Sequence, residues 1–421
     1  MSTLRNENFR GTADALCKIL FGDTATARET AVHLDRENLW PRIVDVASLW
    51  KVIPRLRQRM DAPGLVISPE QRERLRNLSI AEAAQTMLVA HRGGTAANRL
   101  IHGGVQAAAF KGVGLLANLY DHPGARSVGD MDLLINGHDL FRACGVLDEL
   151  GFRPQVSVPL KEWLAHIKNR IHPTHGYVVF EDDDGVEIDL HWHLGIDRSG
   201  KFSTRAVIER AEKTTLLGIP IKAVAPLDAM MLTVHHTIRN YFRPWTTVKD
   251  LCDLSAWWRV EPERWQVEDS IEYAVDGGLS KALLGLWAFL IGLDKGHPAV
   301  RGVETFSRVI SGNDRIQALQ LRDLFKLQLH EEALDPLLVG MFSFSPNTLK
   351  RYIVYEKKVK TKKDAFRKQE ARKRGAILPF PIRIYRIIRT LTRLTPRRLA
   401  MYRTALRQRM FFQAIYEEDE R

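Results

Sequence analysis

The apolar pattern of this chain changes period twice, and those changes limit what it can fold into. Up to about residue 100, apolar residues recur at helical spacing in short blocks such as Thr12–Leu20 and Leu39–Trp50, separated mainly by Gly and Pro. Ser68-Pro69-Glu70-Gln71 places an N-cap serine, a proline at the first helical position and a glutamine at the capping-box position. It predicts a long helix through Leu78–Ile101, closed by Gly103-Gly104. From Val105 the texture shortens: Val105–Gly112 reads as a buried strand, Val113–Tyr120 as a short helix and Asp130–Ile135 as a second strand. His138–Leu150 has helical spacing ending at Gly151, and the stretches 176–181 and 186–194 flank Asp183-Asp184-Gly185, a hairpin turn. After Ala225-Pro226 the helical period returns through Leu227–Phe242, Thr246–Trp258 and Ser280–Leu293, with no internal repeat. The reading is an α+β protein: a small mixed-sheet core at 101–225, flanked by an N-terminal helical lobe at 1–100 and a C-terminal helical domain at 226–345, then a basic amphipathic segment at 346–421.

A chain of 421 residues is too long for one core, and 45% hydrophobic with 27% charged residues excludes a largely disordered or collagen-like chain. Cys17, Cys144 and Cys252 lie far apart and form no CxxC pair, which fits a reducing cytosol better than a disulfide framework. The first residues hold no apolar run long enough for a secretory signal, and nowhere do eighteen apolar residues run together. A cytoplasmic protein is expected, with membrane association open only through the tail. The net charge of +12 is concentrated there: residues 357–409 hold 19 Lys and Arg against Asp364 and Glu370, leaving the body slightly acidic.

The residues that carry chemistry lie in the α/β part. In Asp130-Met131-Asp132-Leu133-Leu134-Ile135 the period of two sets both aspartates on one strand face, with Met131 and Leu133 turned into packing. Two carboxylates on one face repel, and a divalent cation between them relieves the repulsion; hard oxygen ligands suit Mg²⁺. The later strand offers Glu187, Asp189, His191 and His193 on one face, so Asp189 can supply a third carboxylate if the two strands are neighbours. A bare DxD is more often a solvated sheet face. Its context here includes Phe110-Lys111-Gly112 at a strand end, Arg126-Ser127-Val128-Gly129 before the aspartates, and Leu190-His191-Trp192 after the acidic strand.

These elements, in this order, resemble the uncharacterised nucleotidyltransferase family of the DNA polymerase β-like superfamily: Lys-Gly, a short helix ending near Tyr, Arg, Asp-x-Asp-Leu-Leu, then an acidic residue before Leu-His-Trp. The resemblance covers roughly residues 100–255, including His235, His236, Trp245 and Asp250. It implies a nucleotidyltransferase core in which Asp130, Asp132 and Asp189 hold Mg²⁺, Asp189 also draws the proton from the acceptor, and Lys111 and Arg126 face phosphate oxygens. An NTP would give its nucleoside monophosphate to an acceptor hydroxyl on a small molecule, sugar, peptide or protein, and release pyrophosphate. Gly112 allows close approach of backbone to phosphate or serves the strand-to-helix turn, and His191 orients a carboxylate or contacts substrate. The superfamily's usual Gly-Ser or Gly-Gly is replaced by Lys111-Gly112, eighteen residues before Asp130. Ion pairing with a neighbouring carboxylate is the ordinary alternative for Lys111 and Arg126. His191 and His193 with His172 and His175 suggest zinc weakly, there being no nearby cysteine. Asp250 would ordinarily pair with a neighbouring Arg.

In the basic segment, Arg383, Arg386, Arg389 and Arg393 oppose Ile384, Ile387, Ile388, Leu391 and Leu394 on one helical stripe. Such a helix packs on the protein body, makes peripheral membrane contact through 379–409, or grips RNA phosphates; without aromatic stacking residues, RNA is the weakest of the three. A competing overall reading is a noncatalytic nucleotide-binding or membrane-docked scaffold built on the same core.

Overall fold

The computed structural model describes residues 9–61, 64–156, 176–194, 200–240, 244–260, 267–309 and 318. The basic segment at 346–421 and its arginine stripe lie outside the described residues, as do His172 and His175.

Four short helices open the chain: α1 (Phe9–Phe21), α2 (Thr24–Arg36), α3 (Trp40–Leu49) and α4 (Ile53–Met60). They bury Leu16, Ile19, Leu20, Ile43, Val44, Trp50 and Leu56 against one another. Helix α5 (Pro69–His102) follows with the predicted cap: the Ser68 hydroxyl accepts from the Gln71 N–H at 3.3 Å, Pro69 opens the helix, and Gly103 ends it. Its second half lies across one face of the sheet, where Val89, Ala90, Ala96, Ala97 and Leu100 join the central core. The approach is close at Gly93, where an added Cβ would stand 2.8 Å from the Met131 side chain. Only glycine lets the helix come so near the strand.

The sheet has seven strands in the order β3-β4-β5-β2-β1-β7-β6. These are β1 (Ala107–Phe110), β2 (Asp130–Ile135), β3 (Arg153–Pro154), β4 (Tyr177–Glu181), β5 (Glu187–His191), β6 (Glu212–Leu216) and β7 (Ile219–Ala223). β1 pairs antiparallel with β2 and parallel with β7, while β2 pairs parallel with β5. The sheet is therefore mixed, and the protein is α+β, as expected. The β4–β5 hairpin turns where the sequence places it. Asp182 Oδ1 accepts from the backbone N–H of Asp184 at 3.0 Å and of Val186 at 2.9 Å, so a side chain closes the turn. The β6–β7 hairpin and the edge strand β3 escape the sequence reading. The former alternates over only five residues either side of Leu217-Gly218, and the latter is two residues long with Pro154, which an edge tolerates.

Helix α6 (Lys111–Leu119) leaves β1 directly, and α7 (Leu140–Glu149) follows β2. After α8 (Thr204–Glu209) and the β6–β7 hairpin come α9 (Pro226–Arg239), α10 (Pro244–Val260), α11 (Val267–Asp276), α12 (Ser280–Leu293) and α13 (Ala299–Val309). Helix α12 is apolar nearly all round and is buried accordingly, with Leu283, Trp287 and Leu290 fully enclosed. Among the described residues no helix is long and apolar enough to cross a membrane.

Candidate functional site

Strands β2 and β5 run side by side and parallel, in the register Asp130 to Glu187, Asp132 to Asp189 and Leu134 to His191. Because side chains alternate along both strands, this register stacks the acidic faces of the two strands beside each other. The opposite faces carry Met131, Leu133, Ile188 and Leu190, all fully buried in the core beneath α5. Hydrophobic packing on one side thus forces the carboxylates together on the other.

Asp132 is the centre of the cluster. It is 4% exposed, and its Oδ1 lies 2.6 Å from Lys111 Nζ and 3.0 Å from His191 Nε2. Burial alone would raise the Asp132 carboxyl, but the Lys111 ammonium and the hydrogen bond to His191 hold it well below the usual carboxylate range. Asp189 behaves oppositely. Burial first, then the charges of Asp132 and Asp130, push its carboxyl up to about 7 against the pull of Lys111. Asp130 is also raised, by burial and by Asp132, while Lys249, Lys111 and Arg126 act to lower it. Ligand atoms of Asp132, Asp189 and His191 all lie within 4.8 Å of one another, the spacing a metal ion needs; Asp130 stands outside that group.

The imidazole of His191 is fixed by its rings as well as by Asp132. It stacks on Tyr177, with centroids 5.0 Å apart and planes at 19°, and meets Phe110 edge-on at 4.9 Å and 83°. Lys111 reaches Asp132 from the turn between β1 and α6, where its backbone takes a φ of 50°, a left-handed conformation that a lysine adopts at a cost. The turn is tight: a Cβ on Gly114 would stand 2.6 Å from the Ala109 carbonyl oxygen, and one on Gly112 would stand 3.3 Å from Val128. Gly112 thus sits where α6 passes beside the residues leading into β2.

Arg126 is 7% exposed, and its Nε and Nη2 each donate to a different oxygen of Asp253 at 2.8 Å. Asp253, on α10, also accepts from the Tyr120 hydroxyl at 2.6 Å. Helix α5 holds the same loop from the other side. The Thr86 hydroxyl donates to the Arg126 carbonyl and accepts from the Val128 N–H at 3.0 Å, and Ser127 is hydrogen-bonded to Glu82. Asp253, Glu82 and Thr86 are absent from the sequence reading, since each looks like an ordinary polar residue of an amphipathic helix. Asp250 pairs not with an arginine but with α9, where His236 Nδ1 lies 2.9 Å from its carboxylate and the Thr237 hydroxyl donates to it at 2.8 Å.

The fold therefore brings Asp130, Asp132, Asp189, Lys111 and His191 to one sheet face, with Gly112 at its edge, and sets Arg126 against Asp253. A family model described as uncharacterised nucleotidyltransferase matches residues 36–289. The chain belongs to this nucleotidyltransferase family. The match runs well beyond the 100–255 stretch that carries the motifs, taking in α3 to α5 before the sheet and most of α12 after it. Membership makes the chain a transferase by family, and its acidic cluster is one that can hold a metal. No curated protein matches it.

Proposed function

We propose that this nucleotidyltransferase moves a nucleoside monophosphate from an NTP to an acceptor hydroxyl, with Mg²⁺ held by Asp130, Asp132 and Asp189. The observation that carries the reading is the pairing of Asp132 with Asp189 across two parallel strands, beside Asp130 and Lys111. The donor set fits a hard divalent cation. Crowded carboxylates, one of them pushed up to about 7 by burial and its acidic neighbours, are relieved by positive charge between them. Asp132 and Asp189 lie within 4.8 Å of each other, and Asp130 would complete the set from the same face of β2 as Asp132. His191 serves better as the donor that orients Asp132 than as a ligand, because its Nε2 already points at that carboxylate.

A bound cation would neutralise the triphosphate and polarise the α-phosphate. The protein's own groups do the rest. The acceptor oxygen bonds to the α-phosphorus, the bridging P–O bond to the β-phosphate breaks, and pyrophosphate leaves with the electron pair. The acceptor proton passes to the Asp189 carboxylate and then to water. Lys111 and the backbone at Gly112, at the start of α6, offer positive charge and close approach to the phosphates. Arg126, expected from the sequence to face phosphate, acts here through Asp253 and the loop that leads into Asp130. The acceptor is a small molecule, sugar, peptide or protein.

The test is incubation of the purified protein with Mg²⁺ and each α-labelled NTP in turn, cell extract serving as the acceptor pool. Label transferred by the wild type and lost in Asp130→Asn/Asp132→Asn supports the reading. Equal transfer by the double mutant sinks it.

A further inference from the structure

Three cations act on Asp130, and two of them already have carboxylate partners. Lys111 sits 2.6 Å from Asp132, and Arg126 forks onto Asp253. The third, Lys249, also acts on Asp130, yet it forms no hydrogen bond or ion pair with the described residues. It is half-buried on α10, one turn before Asp253, so the two side chains leave the helix on the same face. Because Asp253 grips Arg126, and Arg126 precedes Asp130 by one short loop, that face is docked against the entrance to β2. The same helix packs on α6, whose first residues are Lys111 and Gly112.

We propose that Lys249 is the phosphate-binding cation of this site, carried to the mouth of the carboxylate cluster by the Arg126–Asp253 clamp and donating from its ammonium group to the triphosphate of the nucleotide. The assignment rests on the nucleotidyl-transfer reading and adds to it the residue that takes the phosphate charge. Its surroundings fit the role. Asp130, Asp253 and Asp250 favour its charged form, Glu82 adds a fourth carboxylate nearby, and burial and the like charge of Arg126 oppose it. Burial and the like charge of Arg126 leave its ammonium short of stabilisation, a deficit that an incoming phosphate oxygen corrects. Lys111, by contrast, already shares its charge with Asp132.

The experiment titrates the full-length protein with inorganic tripolyphosphate in the presence of Mg²⁺, a probe that carries the phosphate chain without a base, and separately with Mn²⁺ read by electron paramagnetic resonance. Lys249→Gln is expected to weaken tripolyphosphate about tenfold or more, with Mn²⁺ binding unchanged, and Lys249→Arg to recover most of the affinity. A purely structural role would show neither the selectivity nor the recovery. A second measurement needs no variant: acetylation footprinting of the wild type, in which Lys249 becomes protected when tripolyphosphate and Mg²⁺ are present. Unchanged tripolyphosphate affinity in Lys249→Gln, or a Lys249 equally acetylated with and without the probe, overturns the assignment and leaves nucleotidyl transfer standing. A wild type that binds neither Mn²⁺ nor tripolyphosphate brings down both.

Discussion

At the scale of single residues, the carboxylates are not equivalent, and their differences make separate predictions. His191 orients Asp132 at 3.0 Å while packed between Tyr177 and Phe110, so His191→Ala should lower activity about 10- to 100-fold without unfolding the protein, as loss of an outer-shell partner does. Circular dichroism beside the labelled-NTP assay separates the two effects. Asp189 predicts a pH dependence of the cation-free protein. Its folded value of about 7 exceeds that of an unfolded aspartate, so between them the folded state binds more protons than the unfolded one. The stability it contributes is complete at low pH and is lost as pH rises through about 7, with an upper bound of about 4 kcal/mol. Asp132, held low, acts in the opposite sense but only at more acid pH, so it does not mask this window. Chemical denaturation from pH 5 to 8 should show the decline in wild type, a smaller one in Asp189→Asn, where Asp130 and Glu82 are still raised, and a flatter profile with Mg²⁺; identical slopes in wild type and Asp189→Asn would refute the assignment. Asp130 and Asp132 were legible from the sequence because a period of two is local information. Asp189 depended on which strands are neighbours, and Asp253 on which helix docks where, and no run of a few residues encodes either.

Among the elements, α5 and β2 form the joint on which the site rests. The cap at Ser68, the length of the helix and its end at Gly103 follow from local chemistry and were readable. The role of Gly93 was not, because a mid-helix glycine looks only like a weak point until its neighbour is known. Gly93→Ala would gain helix propensity and still lose stability, by about 1–3 kcal/mol, since its Cβ would meet Met131 at 2.8 Å. Met131→Ala in the same chain should return part of that loss, a coupling that thermal melts of the two single variants and the double variant measure directly. Melts showing Gly93→Ala as stable as wild type would mean that strand and helix have room to part.

For the molecule as a whole, the Arg126–Asp253 pair ties the sheet to the helices that follow it. Removing one partner strands a buried charge, so Asp253→Ala should cost about 3–5 kcal/mol in urea titration, whereas an apolar replacement of both partners should cost much less. Equal losses in the single and double variants would show that the helix is held by other contacts. The parallel pairing of β2 with β5 has a further consequence, one of time. Parallel neighbours cannot close through a tight turn, and here the chain between them must first lay down α7, β3 and β4. A slip of one residue would send Asp189 and His191 into the core and bring Ile188 and Leu190 up beside Asp132. On the proposed reading, the newly made chain gains its affinity for a cation only when this pairing of distant strands is complete and in register, and Mn²⁺ uptake should appear no earlier than the pairing of β2 with β5.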